Sequence, residues 1–277
     1  MKFKLKVHSI YELGQRANQE DNMFPAHEEA GTKDRLFVLC DGMGGHSAGE
    51  VASSLVCVAM GRKVAELCPD SEGPFADEDF KAALSAAYDS LDRNDNGEFK
   101  KMGTTMTFLK LHQDGATVAH IGDSRVYHIR PAASMEGTEI LFQTVDHSLV
   151  NDLVKIGELT PEEAKMSKQK NVITRAMQPL LERRPSADIR HITDIRTGDY
   201  FFMCSDGILE NMEDEDIRNI FSDASGDIQR KAQLVIDATA GNKDNHSAFL
   251  IRIEKVSEGS SDTGNSKWWN RFRLHFK

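Results

Sequence analysis

The sequence predicts an α+β fold, and three observations carry that prediction. Apolar runs fit for strands buried on both faces stop abruptly at aspartate turns, as in 36–41 and 200–206. The middle of the chain, 104–130, is rich in Thr, Val and Ile and contains the turn Gln113-Asp114-Gly115. Two long segments, 50–67 and 77–94, carry apolar residues at helical spacing. The 277 residues suffice for one large domain or two small ones, with ample chain for a core.

Each element follows from a local pattern. Residues 2–8 alternate Lys-Phe-Lys-Leu-Lys-Val-His, the period of a half-buried strand. Gly14-Gln15-Arg16-Ala17-Asn18-Gln19-Glu20-Asp21-Asn22 reads as a polar loop. Five apolar residues, Leu36 to Cys40, then lead to Asp41-Gly42-Met43-Gly44-Gly45-His46, where glycines permit a sharp turn or a close approach to a ligand. In the helices, Val51, Leu55, Val58 and Ala59 form one expected core stripe, and Phe80, Leu84, Ala87 and Leu91 the other. Strands are expected at 104–111, 116–121, 126–130 and 140–145. Thr160-Pro161-Glu162-Glu163 combines a capping box with proline at the first helical position, and 146–185 reads as an inserted, mostly helical flap. Residues 200–204 return to strand and end at Ser205-Asp206-Gly207. Helices follow at 213–221 and 227–240, the latter capped by Asp227, and a last strand at 248–253.

Composition removes several function classes. A formal net charge of -10 argues against nucleic acid as a partner. No apolar run is long enough to span a bilayer, and the N-terminal residues lack a signal-peptide core. Cys40, Cys57, Cys68 and Cys204 lack zinc-site spacing and read as reduced thiols of a cytoplasmic protein.

The candidate chemistry lies in the acidic turns. Asp41-Gly42, Gly122-Asp123 and Asp206-Gly207 each end an apolar strand, and Asp244 precedes another. Any one of these is ordinary turn chemistry. Four carboxylates on one rim would repel unless protonated or bound to a cation. Oxygen ligands without His or Cys pairs favour Mg²⁺ or Mn²⁺ over zinc. Neither Cys40 nor Cys204 lies in a basic anion-binding loop, which argues against a thiol nucleophile.

These residues resemble a known family. Arg16-Ala17-Asn18-Gln19-Glu20-Asp21, Asp41-Gly42-Met43-Gly44-Gly45-His46, Gly103-Thr104-Thr105, Gly122-Asp123-Ser124-Arg125, Asp146-His147-Ser148, Ile173-Thr174-Arg175-Ala176, Ser205-Asp206-Gly207 and Asp244-Asn245 occur in the order seen in metal-dependent type 2C Ser/Thr protein phosphatases. The match is to the compact bacterial form and covers 9–253. The resemblance implies a central antiparallel β-sandwich flanked by helices on both sides, a four-layer αββα arrangement with the flap inserted. It also implies a binuclear Mg²⁺ or Mn²⁺ centre. Asp41 would bridge the ions, the Gly42 carbonyl would bind one, and Asp206 and Asp244 would complete the other. Asp123 with Asp206 would take a third ion, Glu20 and Asp21 would support the centre, and Arg16 would grip the substrate phosphate. Some family members carry histidine directly after Asp-Gly as a proton donor. Here Met43 stands there and cannot donate, and the direction of His46 is open.

The expected reaction is hydrolysis of phosphoserine and phosphothreonine in proteins phosphorylated by Ser/Thr kinases. Two alternatives stay open: a pseudophosphatase that binds phosphoproteins, and a small-molecule phosphohydrolase. The domain is expected to span 1–256 and to be monomeric. Residues 257–266 have linker composition, and the tail to Lys277 holds both tryptophans, Trp268 and Trp269, with arginines and no acid. Such a tail suits packing back on the domain or disorder, and also an anionic membrane surface or a docking partner.

Overall fold

Strand alternation and the placement of three apolar clusters define the layers. The computed structural model describes residues 1–44, 48–95, 97, 102–222 and 227–258. His46 and the aromatic, basic tail lie outside the described residues. In chain order the elements are β1 (Lys2–Glu12), β2 (Asp21–Phe24), β3 (Leu36–Met43), α1 (Ala48–Leu67), α2 (Asp77–Asn94) and β4 (Gly103–Thr104). Next come β5 (Met106–His112), β6 (Gly115–Ile121), β7 (Arg125–Arg130), β8 (Glu139–Gln143), α3 (Leu149–Lys155) and α4 (Pro161–Met166). The chain continues through β9 (Asp188–Ile192), β10 (Tyr200–Cys204), α5 (Asp206–Leu209), α6 (Asp214–Phe221), α7 (Ile228–Thr239) and β11 (His246–Ser257).

Two antiparallel sheets result, one ordered β1-β11-β10-β7-β8 and the other β2-β3-β5-β6-β9, with β4 paired to β3. Successive side chains of a strand point to opposite faces. Phe37 and Leu39 of β3 therefore meet Phe201, Phe249 and Ile251 of the facing sheet, with the Phe37 and Phe249 rings edge to face at 5.3 Å. Val38 and Cys40, on the other face of β3, pack beneath α1 and α2. Phe202, Leu250 and Tyr127 pack under α5, α6 and α7. This is the expected four-layer sandwich. Coverage on both faces is why the central strands read as unbroken apolar runs.

The local signals for helix starts hold. Thr160 accepts from the Glu163 amide while the Glu163 side chain returns to Thr160, and the Asp227 side chain accepts from Arg230 N. Several expectations need correction. The buried face of α1 is Ala52, Val56, Cys57, Met60 and Val64, whereas Val58 is 40% exposed. Small residues let the helix lie close to β3, turning the expected stripe partly outward. Asp21 and Asn22 open strand β2 instead of ending a loop, because they pair with β3. Strand β9 has no apolar signature in the sequence, since only its last residue is buried and its pattern is polar. The segment 146–185 contains only the short helices α3 and α4, and its stretch from 167 to 185 is not helical. All four cysteines are free, and Cys68 is only half-buried.

One close approach fixes the end of β3 to α1. A Cβ on Gly42 would lie 2.1 Å from the Gly49 carbonyl oxygen, and one on Gly49 would lie 2.7 Å from the Gly42 carbonyl carbon. Both obstacles are backbone, so neither position admits a side chain without moving the helix. Gly49→Ala is expected to destabilise the protein by about 3 kcal/mol, measured as a lowered urea midpoint. An unchanged midpoint would contradict this packing.

Candidate metal and phosphate site

Strand β3 carries Asp41 to the sheet end, and its backbone is held there by the Gly103-Thr104-Thr105 segment. Asp41 N donates to Thr105 Oγ1 at 2.9 Å, Thr105 N donates back to Asp41 O at 2.8 Å, and Thr104 Oγ1 donates to the same carbonyl at 2.9 Å. Asp21 sits directly opposite Asp41 in the β2–β3 pairing. Asp206 follows β10 at the start of α5, and Asp244 precedes β11.

A cavity of about 410 Å³ opens at this end, lined among others by Arg16, Glu20, Asp41, Gly42, Asp206 and Asp244. The fold thus gathers six of the residues singled out from sequence. Met43 and the flap residue Ile173 also line it. Asp21 does not reach the cavity. It is fully buried behind Asp41, with Oδ2 accepting from Ser205 Oγ at 2.8 Å. Asp123 is buried beside the cavity, close enough to Asp206 for their charges to interact.

The carboxyls interact strongly. Burial pushes Asp41 well above the usual carboxylate range, and the neighbouring Asp206 and Asp21 add to the shift. Asp206 is raised by burial too, an effect that a hydrogen bond with Asp41 partly offsets. Burial raises Asp21 to about 7 despite the hydrogen bond from Ser205, with Asp206 and Asp244 raising it further. Asp123 is likewise raised to about 7, by burial and then by Asp206 and Asp146. Like charges this close stay ionised together only with a compensating cation.

Polar satisfaction points the same way. Asp21 Oδ1, Asp123 Oδ1 and Asp206 Oδ1 are buried without a hydrogen-bond partner. Orphaned carboxylate oxygens are costly. Three in one cluster, with an oxygen-only donor set, fit a hard divalent cation such as Mg²⁺ or Mn²⁺.

Arg16 lies across the mouth of the cavity, with its guanidinium 2.6 Å from Asp244 Oδ2. Asn245 organises this side. Its Nδ2 donates to the carbonyls of Leu13 and Asn18, and its Oδ1 accepts from Glu20 N, so it ties the Arg16 loop to Asp244. Thr104, Thr105, Ser205 and Asn245 had no role assigned from sequence. The available signal was adjacency, since each lies beside or within a quoted motif.

The chain matches the family model described as Protein phosphatase 2C over residues 14–235. The chain belongs to this family. Protein phosphatase PhpP of Streptococcus pneumoniae serotype 2 is 32% identical over 254 residues, spanning 91% of this chain and 98% of the relative. The crystal structure of the Mycobacterium tuberculosis serine/threonine phosphatase PstP/Ppp matches with a TM-score of 0.75 at 32% identity, covering 91% of this chain and 99% of that one. The catalytic domain of the serine threonine protein phosphatase PstP, solved with 2 manganese ions, matches with a TM-score of 0.71 at 32% identity, covering 91% of this chain and 99% of that one. Family membership accounts for the antiparallel sandwich and its helical outer layers. Among the described residues, no helix is long and apolar enough to cross a membrane.

Proposed function

We propose that the chain hydrolyses phosphoserine and phosphothreonine esters in proteins, using two Mg²⁺ or Mn²⁺ ions. Asp41, the Gly42 carbonyl, Asp206 and Asp244 would hold the two ions, and Asp123 with Asp206 a third. The carrying observation is the convergence of Asp41, Asp206, Asp244 and Arg16 on one cavity, above buried carboxylate oxygens that have no partner. Divalent cations bound there would lower the pKa of water and neutralise phosphoryl oxygens.

The chain's own side chains supply the rest. Asp41 holds its place because Thr104 and Thr105 fix its peptide from both directions. Asp21, held by Ser205, adds negative charge from behind and strengthens the site's preference for cations. Arg16 offers a planar fork to two of the three terminal oxygens of a phosphate monoester. The Asp244 carboxylate keeps that fork at the cavity mouth. Met43 lines the cavity and has no proton to give, so the leaving serine or threonine oxygen would take its proton from a group other than the side chain that follows Asp41-Gly42.

The test is phosphate release from a phosphothreonine peptide with and without Mn²⁺. Metal-dependent turnover well above that on metabolite phosphate esters supports the proposal. Inertness toward every ester, or preference for the metabolites, refutes it. Arg16→Ala is expected to raise KM for the phosphopeptide between about tenfold and a hundredfold, the worth of a charge-assisted hydrogen bond. An unchanged KM would remove Arg16 from phosphate binding.

A further inference from the structure

His120, His147, Arg175 and Asp188 cluster beside the Gly122–Asp123 turn, and none has a part in the chemistry above. The two imidazoles stack at 4.4 Å and 13°. Asp188 Oδ2 lies 3.4 Å from His147 Nε2, and Asp188 Oδ1 accepts from Arg175 Nη1 at 2.9 Å. Two histidines and a carboxylate this close could suit a metal ion. The hydrogen bonds rule that out. Gly122 N donates to His147 Nδ1 at 3.1 Å, and a neutral imidazole has only one lone pair to give. Nε2 therefore carries the proton and points it at Asp188. Arg175 Nη1 also lies 3.2 Å from Nε2, but it has the Asp188 carboxylate to donate to. The Gly122 N–H is buried and must be paired. Stacked rings, moreover, aim their lone pairs in parallel planes instead of at one point.

The cluster is built to hold a peptide. His147 N donates to Gly122 O at 2.9 Å while its ring accepts from Gly122 N, so one residue grips Gly122 through both backbone groups. Gly122 has a φ of +108°, and a Cβ there would lie 2.6 Å from Thr105 Cγ2. Thr105 in turn accepts from Asp41 N and shares a 2.8 Å hydrogen bond with Ser124. The Gly122–Asp123–Ser124 turn is thus wedged between the threonine that fixes Asp41 and a histidine of the flap. On the flap side, Thr174 N donates to His147 O at 2.8 Å and His120 Nε2 donates to Val145 O at 2.8 Å.

We propose that His147 is a positioning residue for the carboxylate centre: it holds Gly122, thereby fixes Asp123, and makes that carboxylate's placement depend on the fold of the flap. The inference rests on Asp123 taking a cation, as proposed above.

Two measurements test it. In the unaltered protein at pH 8, long-range ¹H–¹⁵N correlation should show His147 unprotonated at Nδ1 and protonated at Nε2. The opposite tautomer overturns the proposal without any variant. The second is calorimetric titration with MnCl₂ of wild type, His147→Asn and His147→Phe in the full chain. Asparagine can place its carbonyl oxygen where Nδ1 accepts from Gly122, whereas phenylalanine keeps the ring and loses the acceptor. The weakest Mn²⁺ event should weaken at least about tenfold in His147→Phe, as removing outer support of a metal ligand does, and stay near wild type in His147→Asn. Equal Mn²⁺ binding by all three proteins overturns the role of His147. Wild type that binds no Mn²⁺ instead refutes the cation reading of Asp123, and with it this role.

Discussion

Asp41→Asn is expected to lower phosphopeptide turnover at least about a thousandfold, or about 4 kcal/mol of transition-state stabilisation. Asparagine keeps the volume and the backbone contacts to Thr104 and Thr105 but removes the charge placed between Asp21 and Asp206. The same substitution should raise the melting temperature of the metal-free protein, because it relieves a buried carboxylate crowded by others. Initial rates with saturating Mn²⁺ and a melt in chelator measure the two effects. Activity within tenfold of wild type would overturn the central role of Asp41. The opposed signs set this residue apart from a merely structural one, whose loss would lower both.

Divalent cations should stabilise the protein, and more so at pH 8 than at pH 6.5. Asp21 and Asp123 titrate near 7 in the fold, against 3.8 for an ordinary aspartate. A carboxyl raised in this way binds its proton more tightly when folded, so metal-free stability falls as pH rises from the unfolded value through the folded one. Burial holds His112 down at about 4 and lowers His120 and His147, and these groups act in the opposite sense up to about pH 6.5. The window therefore begins there and closes near pH 8, where Lys110, lowered to about 8 by burial, starts to act in the opposite sense. Between pH 6.5 and 8 each of the two aspartates should cost on the order of 1 kcal/mol in the metal-free protein. Mn²⁺ at a hundred times its dissociation constant should add about 2.7 kcal/mol. Thermal melts at both pH values, with and without Mn²⁺, measure both effects. A metal-free midpoint that does not fall, or an Mn²⁺ effect equal at both pH values, would contradict the carboxylate cluster.

Much of the fold was legible because its causes are local. The Thr160 capping box and the Asp227 cap act within one turn of their helices, so sequence alone placed both starts. The bounds expected for the second long helix and for the strand at 200–204 agree with α2 and β10. Where the outcome depended on a partner, the pattern misled. Asp21 and Asn22 are strand residues only because β3 lies alongside. Val58 has the spacing of a core residue, but small residues on the adjacent face of α1 are the ones pressed against the sheet.

For the site, local sequence patterns specify the chemical inventory. Apolar runs that stop at aspartate–glycine turns encode carboxylates at strand ends, because strand burial and turn geometry are both short-range properties. How those ends are used follows from tertiary packing. Register across the β2–β3 pairing buries Asp21 behind Asp41 and leaves Glu20 facing the cavity. Asn245 draws the Arg16 loop to Asp244 from the far end of the chain. Thr105 and His147 close on the Gly122 peptide from two different elements. Hydrogen-bond partners distant in sequence leave no periodic trace, so their roles emerge only when the sandwich brings its strand ends together.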